Sequence, residues 1–362
     1  MVSLSADASA TPAGDAAPMV LTRKGDLLSI QYLRAVAAIG VLIFHAADRT
    51  GGQFGVGGAG VDVFFVISGL IMWVISARRP PTPFEFLSRR AGRIVPLYWL
   101  VTLGLCGVWL AAPGLFPHLS PTPGHVIQSL LFLPHVDPDG VIAPLVAPGW
   151  TLNYEAFFYV VFAAALLAPG HLRALLLSAA LGSLVVAGLL LRPQGAIAAT
   201  YTSPLLLEFL AGVWIGKTWV AGRMPSAGVS ALLLLAGVGA LAAVVAIGLN
   251  VEPVRLLVWG VPGMAIVAGA LGLEAAGRVP VWRAVKFLGD ASYSIYLVHA
   301  LAISLALRLG QMLGLTNGPT LFIAALAVGL AAGSLCYLAV ERPLSRLFQP
   351  PVRRSPRPAP LA

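Results

Sequence analysis

Charge is what this 362-residue chain has least of: 10% of its residues are Asp, Glu, Lys or Arg, against 58% hydrophobic. Soluble domains carry about 25% charged residues, so an ordinary soluble domain is excluded. Cysteine occurs twice, at Cys106 and Cys336 in separate apolar runs. That leaves no spacing for a disulfide framework or a zinc knuckle, and both read as packing residues. His118, His125 and His135 lack the i, i+4 spacing of a helical metal pair, so no metal is assigned. The glycine-rich stretch DRTGGQFGVGGAGVD lacks the Gly-Lys-Ser/Thr ending of a phosphate loop. It is either a flexible connection or a place where backbone can approach a sugar. No basic run interleaves with aromatics, which argues against nucleic acid despite a formal charge of +9. The opening MVSLSADASATPAGDAAPMV has neither a basic leader nor a continuous apolar core, so it does not read as a signal peptide.

What is abundant is the long apolar run. Runs bounded by Gly, Pro and charge predict an all-α polytopic membrane protein. Ten spans are expected, near 29–48, 60–77, 94–112, 150–168, 172–191, 203–221, 228–248, 255–273, 290–310 and 320–340. GHVIQSLLFLP, between the third and fourth, is too short to cross and is expected to lie at the interface or re-enter. With the amino terminus inside, nineteen of the 23 Lys and Arg residues collect on the inner side, and Arg49, Arg192, Arg255 and Arg308 fall outside. The positive-inside rule therefore places both termini in the cytoplasm. Pro-rich composition marks residues 1–27 and 349–362 as disordered cytoplasmic tails around a membrane domain at 28–348.

Ionisable residues inside such runs are expensive and point to function. In IQYLRAVAAIGVLIFHA, eleven positions separate Arg34 from His45. At about 100° and 1.5 Å per residue both leave one helix face, roughly 16 Å apart along the axis. On the expected topology Glu155, early in the fourth span, matches the depth of His45 and could orient its imidazole for activating an alcohol. Helix packing by a buried His and Glu is the alternative. Arg89, Arg90 and Arg93 fall within one turn, where forked guanidinium groups could converge on a polyphosphate. Setting topology or binding anionic lipid explains them as well. Asp62 could face Arg49 or His45, Trp150 sits one and a half turns before Glu155, and Glu208 and His299 are further intramembrane groups without an obvious partner. Aromatics near span ends otherwise fit an interfacial belt.

In order along the chain, the Arg34 to His45 pair, GVDVFFVISGLIMW from Gly60, RRAGRIVPLYW from Arg89, GWTLNYEAFFY from Gly149 and SYSIYLVH ending at His299 resemble the acyltransferase 3 family of membrane acyltransferases. The wording is most similar to the branch that acetylates exopolysaccharides in Gram-negative bacteria. The resemblance implies a multi-pass enzyme of the bacterial inner membrane. Such an enzyme moves an acetyl group from cytoplasmic acetyl-CoA, its donor substrate, to a glycan hydroxyl, with no permanently bound cofactor. The family's essential Arg and His map onto Arg34 and His45, implying catalytic roles, and its arginine motif onto Arg89, Arg90 and Arg93, implying donor binding. From the residues themselves Glu155 is expected to join the catalytic set, and Asp62, Trp150 and His299 to line or support the acceptor side. Acyl-CoA, a glycan or lipid-linked oligosaccharide, membrane lipids and polysaccharide biosynthesis machinery are the implied partners. Ala156 stands where many relatives carry a second acidic residue, so a role for paired carboxylates is not expected. No appended soluble hydrolase-like domain is expected either. A transporter or flippase for a lipid-linked sugar is the rival from another class, although no internal repeat is visible. Succinyl-CoA or a longer acyl donor is not distinguished by sequence.

Overall fold

The computed structural model describes residues 27–77, 80–115, 121–249, 251 and 254–348. The expected tails, except Leu27, lie outside the described residues, as does His118. Fourteen α-helices follow one another: α1 (Leu28–Arg49), α2 (Ala59–Ala77), α3 (Pro83–Ala111), α4 (Pro123–Leu130), α5 (Trp150–Ala165), α6 (Gly170–Leu191), α7 (Ala196–Tyr201), α8 (Leu206–Val220), α9 (Ala227–Ile247), α10 (Val261–Ala275), α11 (Arg283–Asp290), α12 (Ser292–Met312), α13 (Gly318–Cys336) and α14 (Arg342–Phe348). Among the described residues β structure is limited to an isolated bridge between Val136 and Ile142. The all-α expectation holds.

Nine helical segments among the described residues are long and apolar enough to cross a membrane. The fourth expected span, 150–168, is shorter than anticipated and is the one missing from these nine. Helix α5 has 16 residues, about 24 Å at 1.5 Å per residue, against a hydrocarbon core of about 30 Å. A 3-10 turn at Ala147–Gly149 precedes it, and its C-terminal neighbours Leu166 and Leu167 are already in a turn. Packing against α3, α6, α2, α7 and α8 gives this short helix protein neighbours on several sides. The GHVIQSLLFLP segment forms the eight-residue α4, which cannot span.

The most enclosed span is Gly55–Ala77, and α9 is among the least buried. Glycine sets how closely α2 approaches α8. A Cβ on Gly69 would lie 1.9 Å from the Phe209 carbonyl oxygen, and one on Gly212 would lie 2.0 Å from that of Val66. The backbones are in contact, as small residues permit where hydrocarbon surrounds the helices. Helix α1 touches α2, α10, α11, α12 and α13, so charged groups on it can face protein rather than lipid.

Two carboxylates close helix beginnings at one end of the bundle. Glu274, at the end of α10, accepts from Leu28 N (2.7 Å), Ser29 N (2.9 Å) and Ser29 Oγ (2.5 Å) at the start of α1. Glu341 accepts from Ser294 N (3.2 Å) and Oγ (2.6 Å) near the start of α12. Each satisfies N–H groups that have no intrahelical partner and places negative charge at the positive end of a helix. Glu341 ends a π-helical stretch, Tyr337–Glu341, between α13 and α14.

Candidate active site

A cavity of about 350 Å³ opens among α1, α2, α3, α5 and α12. Arg34, Arg90, Arg93 and Glu155 line it, with Tyr293 and Tyr296 on the α12 side. It reaches from the beginnings of α1, α3 and α12 to Thr151 and Val61, well into the bundle. The Arg34 guanidinium, anchored by a 3.4 Å bond from Nη1 to Gln31 Oε1, shares this space with Arg90 and Arg93. Three fixed positive charges in a partly closed space are suited to a phosphate-rich anion.

The three neighbouring arginines do not act together. Arg90 and Arg93 face the cavity, while Arg89 is exposed and ion-paired with Glu85 one turn earlier. At about 100° per residue Arg93 lies about 40° from Arg89 and about 60° from Arg90, so pitch alone does not separate them; what distinguishes Arg89 is its ion pair with Glu85. The expected triple convergence becomes a pair joined by Arg34.

Glu155 also differs from the expectation. Its carboxylate accepts hydrogen bonds from Ser68 Oγ (3.1 Å) and Tyr159 Oη, the latter a very short contact. These hold it towards the arginine-lined cavity, and its bonds do not include one to His45. The ring beside His45 is instead His299, with centroids 5.0 Å apart and planes inclined by 30°. Phe44 flanks His45 on the other side at 4.7 Å. His299 is buried, and its Nδ1 lies 2.5 Å from the Tyr296 carbonyl oxygen.

Tyr296 joins the two regions. It lines the cavity, while its ring centroid is 5.7 Å from that of His299. Its hydroxyl donates to the Pro148 carbonyl (3.0 Å) and shares a 3.1 Å bond with Thr151 Oγ1. Arg34 lines the cavity, whereas His45 and His299 lie outside its lining; Tyr296 is in both regions, facing the cavity and packing against His299.

Asp62 is fully buried and takes a bidentate contact from Arg255, at 3.1 Å to Oδ1 and 2.9 Å to Oδ2. It pairs with neither Arg49 nor His45. The Arg255 guanidinium also lies over the Trp259 and Trp150 rings, 5.0 and 5.7 Å from their centroids. Trp150 thus packs on this ion pair and against Phe65 and Tyr154 rather than lining the cavity. Glu208 is buried against Gly260, where an added Cβ would come within 2.6 Å of its Oε1.

Tyr159, Ser68 and Tyr296 were not singled out in the sequence. Tyr159 carries a usable signal, since it lies four residues after Glu155 on the same helix face. Arg255 lies 193 residues from Asp62, and no local pattern links them. His125 and His135 pack as an edge-on pair with centroids 4.8 Å apart, and no group of three or more metal-binding side chains occurs among the described residues.

The family described as acyltransferase domain, acyltransferase 3, matches residues 27–338. The chain is similar to the exopolysaccharide production protein ExoZ of Rhizobium meliloti (strain 1021), with 46% identity over 308 residues, covering 84% of this chain and 95% of that protein. No solved structure matches.

Proposed function

Because the chain belongs to the acyltransferase 3 family of membrane acyltransferases, we propose that it transfers an acetyl group from cytoplasmic acetyl-CoA to a hydroxyl of an exopolysaccharide or its lipid-linked precursor. The observation that carries this reading is the arrangement along α1, with Arg34 in an arginine-lined cavity towards one end and His45 towards the other, joined to the cavity wall by the packing of His299 on Tyr296. Coenzyme A has matching polarity, with phosphates at one end and the thioester at the other. Arg90 and Arg93 hold the phosphates, and Arg34, deeper in the same cavity, neutralises charge nearer the thioester arm. The roughly 16 Å between Arg34 and His45 is commensurate with the pantetheine arm.

In the reaction His45 takes the proton of the acceptor hydroxyl as its oxygen attacks the thioester carbonyl. The carbon–sulfur bond breaks, and the imidazolium returns the proton to the departing thiolate. General base catalysis of this kind contributes about 10²–10⁴-fold. Glu155, fixed by Ser68 and Tyr159, balances the arginine charge when the donor is absent and orders the cavity wall. In this reading α1 begins on the cytoplasmic side, both termini are cytoplasmic, and the enzyme resides in the bacterial inner membrane. It carries no permanently bound cofactor and works beside polysaccharide biosynthesis proteins. The Asp62–Arg255 pair and Trp150 support the acceptor side by fixing the tops of α2, α5 and α10.

The test incubates membranes containing wild-type or His45→Ala protein with radiolabelled acetyl-CoA and precursors of the host polysaccharide. Label in the glycan that disappears with His45→Ala, at equal membrane content, is expected. Equal labelling by the folded variant refutes the role of His45; no labelling by the wild type refutes acetyl transfer.

A further inference from the structure

The partner that orients His45 has to be sought among the groups that touch it, and among the described residues the ionisable ring in contact is that of His299. A backbone carbonyl can only accept, so the 2.5 Å contact between Tyr296 O and His299 Nδ1 requires the proton on Nδ1. In the neutral ring Nε2 is then a bare lone pair. That atom is buried and has no hydrogen-bond partner among the described residues. A buried acceptor without a partner is costly, so its retention asks for a use.

An N–H···N bond of about 2.9 Å between two imidazoles places their centroids roughly 5 Å apart. The observed separation is 5.0 Å with a 30° inclination. His45 is half-buried, and since no bond joins the rings as they stand, the pair requires the His45 ring to turn until a nitrogen meets His299 Nε2. We propose that His299 is the positioning residue of a histidine pair, accepting the N–H of His45 at Nε2 and so leaving the other His45 nitrogen unprotonated to act as the base. The inference rests on the acetyl-transfer reading above. Tyr296 is part of the device, since its carbonyl fixes the His299 tautomer from the wall of the donor cavity. When His45 accepts the hydroxyl proton, the His299 lone pair stabilises the imidazolium without bringing a second charge into the apolar bundle.

The experiment compares wild type, His299→Phe, which keeps a ring but no acceptor, and His299→Gln, whose amide oxygen can replace Nε2. Acetyl transfer is measured against acetyl-CoA concentration, and ring-nitrogen NMR of histidine-labelled purified protein is recorded in parallel. His299→Phe is expected to lower kcat by about 100-fold with the KM for acetyl-CoA within twofold, and His299→Gln to regain about tenfold of that loss. The His45 nitrogen signal should move from hydrogen-bonded to free in His299→Phe. A phenylalanine variant with more than half the wild-type kcat, a glutamine variant no better than phenylalanine, or a loss carried by KM overturns the proposal. If wild type transfers no acetyl group at all, the functional reading fails while the NMR decides the pair by itself: a His45 signal indifferent to His299→Phe overturns it.

Discussion

Splitting the arginine cluster makes a quantitative prediction, because three residues within five positions meet two different fates. Arg89 is exposed and bonded to an exposed Glu85, and surface pairs of this kind contribute about 0–1 kcal/mol to stability. Arg90 and Arg93 line the cavity with Arg34. A hydrogen bond to a charged group in such a site is worth about 1.5–3 kcal/mol, and each 1.4 kcal/mol is a tenfold change in affinity. Replacing Arg90 or Arg93 with Gln should therefore raise the KM for acetyl-CoA by roughly 10- to 150-fold. Arg89→Gln should leave it within twofold. The assay is initial-rate acetyl transfer in membranes across a donor series, with protein content normalised by blotting and orientation checked by protease access to a terminal tag. Equal effects at all three positions would refute the cavity assignment and return the cluster to a role in topology. Altered orientation with normal donor affinity would do the same.

The α2–α8 contact predicts that Gly212→Ala destabilises by about 1–3 kcal/mol through overpacking, whereas Gly239→Ala on α9, with open space around it, does not; unfolding temperatures of the purified variants compare the two. Removing either partner of the buried Asp62–Arg255 pair should cost about 3–5 kcal/mol, seen as loss of folded protein on size exclusion, and a paired apolar replacement should recover part of it. Glu274→Ala leaves the start of α1 without its acceptor and should lower the unfolding temperature by the equivalent of about 1–2 kcal/mol. Burial, followed by the neighbouring His135, holds the His125 imidazole below its usual value of 6.5, with Asp137 opposing. The unfolded chain then binds more protons than the folded one, so the contribution of His125 is complete above about pH 6.5 and is lost as pH falls below it; His125→Phe should flatten the fall in unfolding temperature between about pH 7 and 5.

The sequence by itself determined that this is a helical membrane protein, because apolar runs near spanning length can bury their backbone polar groups in no other open-chain form. It also marked Arg34 and His45, since an ionisable group within such a run is costly enough to stand out, and Arg89, Arg90 and Arg93 as a cluster at the foot of the third span without distinguishing among them. Glu155 stood out in the sequence and lines the cavity, but its partners were not legible. Depth along a span says nothing of which face a helix presents, and packing turned Glu155 towards Ser68 and Tyr159 instead of His45. Arg89 left its two neighbours for an ion pair with Glu85, which clustering in sequence did not foretell. The length of α5 was decided by the turns at its ends and by the protein around it, which a hydropathy window does not register. Contacts between distant segments were the least legible. Asp62 with Arg255, Glu274 with Ser29, and His45 with His299 join residues 193, 245 and 254 positions apart. Only the packing of the bundle brings them together, because composition sets which groups must find a partner in the membrane and the tertiary structure alone chooses which partner each one finds.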